Sequence, residues 1–147
     1  MIPMWGCLAT ADDPAGDESS GETSAVTSEL TGTASDGITF KNNGTASVTP
    51  SGLNIAGFLS SQPVSPVLPG GGDSYTETGV GNITSFHIDY SAGSKRCHFD
   101  SASFPSGSSC TFTKNAQSQG GTFATCTATL TSFNLMTCSQ TVTFTMQ

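Results

Sequence analysis

Alternation with a period of two is the feature that most narrows what this chain folds into. In "GTFATCTATLTSF" (121–133), Thr127, Thr129 and Thr131 occupy every second position, with Cys126, Ala128 and Leu130 between them. In "CSQTVTFTMQ" (138–147), Thr141, Thr143 and Thr145 alternate with Val142, Phe144 and Met146. That spacing puts the two sets on opposite faces of a pleated strand. The same period runs through "GITFKN", "SYTET", "NITSFHIDY", "RCHFDSASF" and "CTFTKN". Turn signals at Gly79–Gly81, Ala92–Gly93, Pro105–Gly107, Gly120–Gly121 and Asn134 separate these runs. Only 10% of residues are charged, and 17 glycines and 7 prolines interrupt the chain, so no stretch of strong helix formers exists. The expectation is all-β: a single antiparallel β-sandwich, or flattened barrel, of about seven to eight short strands.

The alternation begins at Gly37. Upstream of it, Asp12, Asp13, Asp17, Glu18, Glu22, Glu29 and Asp36 lie among Ser, Thr and Gly with no Lys or Arg. Such a segment buries too little apolar area to offset ordering. The sequence therefore predicts a flexible acidic tail or stalk over 1–36 and a β-sandwich domain over 37–147. Pro63, Pro66, Pro69 and Gly70–Gly72 mark an extended loop or edge connection, because proline cannot donate to a strand ladder.

Those seven acids account for the whole net charge of −7; from Gly37 onward four acids balance four bases. A neutral domain with four scattered bases lacks the phosphate-neutralising patch that nucleic-acid binding needs, and gains little from anionic lipid. No apolar run is long enough to cross a bilayer, so no transmembrane segment is expected. The opening "MIPMWGC", with a small residue directly before Cys7, resembles the mature start of a bacterial lipoprotein, although it lacks the usual leucine three before the cysteine. The resemblance covers fewer than ten residues and implies lipid on Cys7; the other reading of Cys7 is a free thiol.

Cys97, Cys110, Cys126 and Cys138 are spaced by 13, 16 and 12 residues with no C-x-x-C knuckle, which favours two disulfides over zinc. Disulfides imply an oxidising location, extracellular or periplasmic, with surface anchoring if Cys7 is lipidated. Three pairings are open. Cys97–Cys110 with Cys126–Cys138 would tie the ends of two hairpins.

The densest chemistry lies in "HIDYSAGSKRCHFD" (87–100). Phe86, Ile88 and Tyr90 share one strand face, and Cys97 and Phe99 share one on the next strand, so His87, Asp89, His98 and Asp100 project from the opposite face. With the turn centred on Ala92–Gly93, His87 lies opposite His98 and Asp89 opposite Arg96; two imidazoles so placed, with Asp89 or Asp100, form a mixed N/O set suited to Zn2+ or Cu2+. A register shifted by two residues instead sets His87 against Asp100 and Asp89 against His98, an ion-paired ladder.

No G-x-S-x-G elbow or phosphate loop occurs, and no cofactor beyond that metal is expected. The sequence thus reads as an exported non-catalytic module for surface binding, adhesion or self-assembly through loops and edge strands. Its expected partners are protein or carbohydrate at a cell or particle surface, or further copies of itself. Asp73, Tyr75 and Glu77, beside the Pro/Gly loop, are the candidate ligand-binding residues. The alternatives are a metal-binding protein centred on His87 and His98, and a lipid-binding or pore-forming sandwich.

Overall fold

The computed structural model describes residues 32–147. Cys7 and most of the expected acidic tail lie outside the described residues. Among the described residues nine strands follow one another: β1 (Ser35–Asn42), β2 (Thr49–Ile55), β3 (Phe58–Leu59), β4 (Gly72–Thr78), β5 (Thr84–Ala92), β6 (Lys95–Ser106), β7 (Ser109–Ser118), β8 (Cys126–Asn134) and β9 (Ser139–Met146). They form a five-stranded sheet, β3-β4-β1-β9-β8, packed on a four-stranded sheet, β2-β5-β6-β7. The pairs are antiparallel except β1–β9, which run parallel through the middle of the larger sheet.

Alternation sets the core. Ile38 and Phe40 from β1 and Val142, Phe144 and Met146 from β9 point inward against Phe86, Ile88, Tyr90, Cys97 and Phe99 of the other sheet. Phe40 stacks on Tyr90 with ring centroids 3.6 Å apart, and Phe99 on Phe144 at 4.7 Å. Burying each such side chain contributes roughly 1.5–3 kcal/mol. The Tyr75 and Tyr90 hydroxyls meet at 3.0 Å and join the sheets through one polar contact inside the core. The outer face of the five-stranded sheet carries the threonines: Thr145 lies opposite Thr127, and Thr143 lies between Thr129 and Thr39.

The disulfides are Cys97–Cys126 and Cys110–Cys138, closing loops of 29 and 28 residues. The hairpin pairing is excluded by register: Cys97 lies opposite Ser118, and Cys110 opposite Pro105. Each bridge instead runs between sheets, β6 to β8 and β7 to the start of β9. In the chain-entropy account a loop of this size contributes about 3.5 kcal/mol. Disulfides of this kind form and persist in oxidising compartments.

β1 begins two residues before Gly37, and Asp36 is fully buried between the sheets. The sequence places this residue among the solvated acids of the tail; its strand position turns it inward with Ile38 and Phe40.

Candidate functional site

Three places concentrate polar or exposed groups. The first is the outer face of the β5–β6 ladder. Here His87 lies opposite Asp100 and Asp89 opposite His98, while Arg96 lies opposite Ser91. The expected His87–His98 pairing is therefore corrected by two residues. The reason is the turn. Ala92 pairs with Lys95, so Gly93 and Ser94 form the loop, and Gly93 takes the first position with φ +61°. A turn centred on Ala92–Gly93 would force alanine into that left-handed region, costing roughly 1–2 kcal/mol.

The two-residue shift keeps every side chain on its face, so all four polar groups still meet outside the sheet. His87 Nδ1 is 2.8 Å from Asp100 Oδ1, His98 Nδ1 is 2.8 Å from Asp89 Oδ1, and His98 Nε2 is 3.2 Å from Asp100 Oδ2. The two imidazoles lie edge to face with centroids 4.2 Å apart. Asn115 Nδ2 donates to Asp100 Oδ2 at 3.2 Å. Arg96 Nε lies 3.9 Å from Asp89 Oδ2. Beside Asp89 the β2 ladder slips between Ser51 and Asn54, where Gly52 has φ +62°. A cleft of about 300 Å³ opens next to His87 and Asp100, lined also by Asn54, Ser85 and Thr113.

The second place is internal. Asp36, Glu77 and Gln140 are buried side by side on β1, β4 and β9. Glu77 Oε1 accepts the backbone N–H groups of Ala56, Gly57 and Ser85, which fastens the β2–β3 link. Asp36 Oδ2 accepts from Ser101 Oγ and Gln140 Nε2. Asp36 Oδ1, Glu77 Oε2 and Gln140 Oε1 accept nothing from the described residues. Burial pushes the Asp36 carboxyl up to about 7; Ser101 opposes the rise and the Glu77 charge adds to it.

Burial therefore separates the three residues expected at a ligand loop. Tyr75 and Glu77 face the core of β4 and cannot meet an external ligand. Burial also raises both tyrosines, Tyr90 to about 12. Asp73 instead closes the Pro/Gly loop, its Oδ2 accepting the Val64 N–H at 2.6 Å and its Oδ1 that of Ser74 at 2.9 Å.

The third place is one end of the sandwich. Thr78 of β4 leads through residues 79–83 into Thr84 of β5. Ladder register brings the β2–β3 link, the β6–β7 turn and the β8–β9 turn to that same end. Phe58, Val80, Ile83, Phe104, Phe133, Leu135 and Met136 sit there, each 40–65% exposed. Phe112 of one sheet and Phe133 of the other meet with ring centroids 5.4 Å apart. The Cys110–Cys138 bridge ties the two outer turns together, and Cys110 Sγ lies 3.3 Å from the Leu135 carbonyl. Residues 56–58, 79–83, 104–112 and 133–138 include no charged side chain. No single run of the sequence marks this end, because its seven apolar residues come from four separate segments.

No known family pattern matches the sequence, and no curated protein matches it. Among solved structures, the one described as lipid binding protein Nakanori shares the architecture. Its TM-score is 0.56 at 8% identity, with 90% of this chain and 80% of that chain covered. At that identity the likeness shows the β-sandwich fold alone. Among the described residues no helix is long and apolar enough to cross a membrane.

Proposed function

We propose that this chain is a non-catalytic binding module that docks the uncharged apolar end of its sandwich onto a lipid surface. The observation that carries the reading is the gathering of Phe58, Val80, Ile83, Phe104, Phe133, Leu135 and Met136 at one end without a charged neighbour in the connecting segments. Exposed apolar groups gathered in this way mark interaction surfaces. Burying the exposed half of each contributes roughly 1 kcal/mol, enough together to exceed an association cost that starts at about 4 kcal/mol. The shared architecture with a protein described as lipid binding supports the same reading. The lack of Lys or Arg in these segments favours an uncharged bilayer over an anionic one.

Flotation with phosphatidylcholine vesicles tests it. The chain is expected to float with zwitterionic vesicles, equally well when anionic lipid is added and at raised salt. Val80→Asp and Met136→Asp, both at exposed turns, are expected to abolish flotation with an unchanged fold. A chain that stays at the bottom of the gradient, or variants that float as well as the parent, would overturn the reading. Self-association through the same end would appear instead as a dimer by size exclusion that Met136→Asp dissociates.

A further inference from the structure

The geometry points to a transition-metal site on the outer face of the four-stranded sheet, with His87, His98 and Asp100 as ligands for Zn2+ or Cu2+. Asp89 would act as the group that orients His98. The site lies on the sheet face and does not depend on the lipid-docking reading.

Three observations converge on it. Ligand atoms of His87, His98 and Asp100 all lie within 4.8 Å of one another. A tetrahedral ion with bonds near 2.1 Å holds its ligand atoms about 3.4 Å apart, so small side-chain rotations close the set. Both rings also aim a nitrogen at the same carboxylate: His87 Nδ1 at Asp100 Oδ1, and His98 Nε2 at Asp100 Oδ2. Each of those contacts holds a position that a proton and a metal ion compete for. Finally, the remaining nitrogen of His98 is engaged. Its Nδ1 faces Asp89 Oδ1 at 2.8 Å, the carboxylate–histidine arrangement that fixes a metal-binding tautomer with Nε2 free to ligate.

The charge balance allows it. Arg96 is directed at Asp89 and leaves Asp100 as the uncompensated acid between the rings. In the metal-bound form His98 would ligate through Nε2 and keep its proton on Nδ1, toward Asp89. His87 binds through Nδ1 and carries its proton on Nε2. The cleft beside His87 and Asp100 leaves room for water in the fourth position, as an open three-ligand site requires. Two nitrogens and one oxygen suit Zn2+ or Cu2+ and disfavour Ca2+ or Mg2+.

The test is Zn2+ titration of the full chain carrying Cys7→Ser, which removes the leftover thiol as a competing ligand. It is followed at pH 7.5 by calorimetry and by histidine NMR. One equivalent is expected to bind, moving the ring signals of His87 and His98 together. His98→Gln is expected to lose at least 100-fold in affinity. Asp89→Asn is expected to lose 10- to 100-fold, with the metal-free unfolding midpoint unmoved and the His98 tautomer signal altered. Ring signals that stay fixed at two equivalents would overturn the site and leave an ion-paired ladder. So would an affinity unchanged in both His87→Ala and His98→Gln, since the ion would then sit elsewhere.

Discussion

Asp36 and Glu77 stand side by side across the β1–β4 ladder, both sealed from solvent. Neither has a cationic partner among the described residues. Two buried carboxylates at that spacing cannot both ionise cheaply, and the structure resolves the conflict on Asp36. Its carboxyl is raised from 3.8 to about 7, by desolvation first and then by the Glu77 charge.

The folded state therefore binds the Asp36 proton more tightly than the unfolded chain does. Its contribution to stability is full below about pH 4 and is lost as pH rises through about 7, on the order of 2–4 kcal/mol. Asp36→Asn keeps an oxygen for Ser101 and Gln140 and cannot ionise. The variant is expected to match or trail the parent at pH 4 and to exceed it at pH 8. Urea midpoints taken across pH 4–9 check this, because the difference between the two proteins cancels every other titration. Parallel profiles would remove Asp36 as the source.

Tyr75 and Tyr90 supply a second internal test. Their hydroxyls have each other as partner at 3.0 Å in a buried setting. Tyr90→Phe leaves the Tyr75 hydroxyl desolvated and unpaired, at a cost of about 1–3 kcal/mol, and Tyr75→Phe does the reverse. The double variant removes both polar atoms and is expected to be less damaging than the two single costs together by about 1 kcal/mol or more. Additive costs in a double-mutant cycle would mean that the hydroxyl contact contributes nothing.

Two glycines make opposite demands. A Cβ on Gly57 would lie 1.7 Å from the Thr78 carbonyl oxygen, so Gly57→Ala must push β3 off β4. It would also disturb the N–H that Gly57 gives to Glu77. Gly70 meets nothing within 4 Å, and its φ of +75° is the sole obstacle to a side chain. Thermal unfolding is expected to show a loss of more than about 2 kcal/mol for Gly57→Ala and about 1–2 kcal/mol for Gly70→Ala.

How much of this was readable beforehand follows from what each feature depends on. The inward sets Ile38/Phe40 and Val142/Phe144 were legible because one buried face enforces a period of two along a single strand. The register of β5 against β6 was not, since a slip of two residues leaves every face unchanged; a glycine at one turn position decided it. The cysteine pairing was illegible because each bridge joins strands of different sheets, and no hairpin-local rule reports which strands stack. Asp36 read as one more tail acid, although its parity with Ile38 was the available signal. The apolar end was hidden because Phe58, Val80/Ile83, Phe104 and Phe133/Leu135/Met136 lie in four segments far apart in the chain. Only the chain's path between the sheets gathers them.

The two disulfides allow the proposed docking end to be tested against simple loss of stability. They enclose loops of 29 and 28 residues, so the chain-entropy account assigns each about the same 3.5 kcal/mol. Their positions differ. Cys97–Cys126 joins β6 near the Gly93 turn to the start of β8, at the far end of the sandwich. Cys110–Cys138 ties the β6–β7 and β8–β9 turns that carry Phe104, Phe133, Leu135 and Met136. Paired Cys→Ser replacements at either bridge are expected to lower the urea midpoint by similar amounts. Only Cys110→Ser/Cys138→Ser is expected to weaken vesicle flotation, about tenfold or more, since the two apolar turns then move independently and must be ordered on docking. Equal flotation in the two double variants, measured well below either unfolding midpoint, would show that the bridge stabilises the fold without shaping the docking surface.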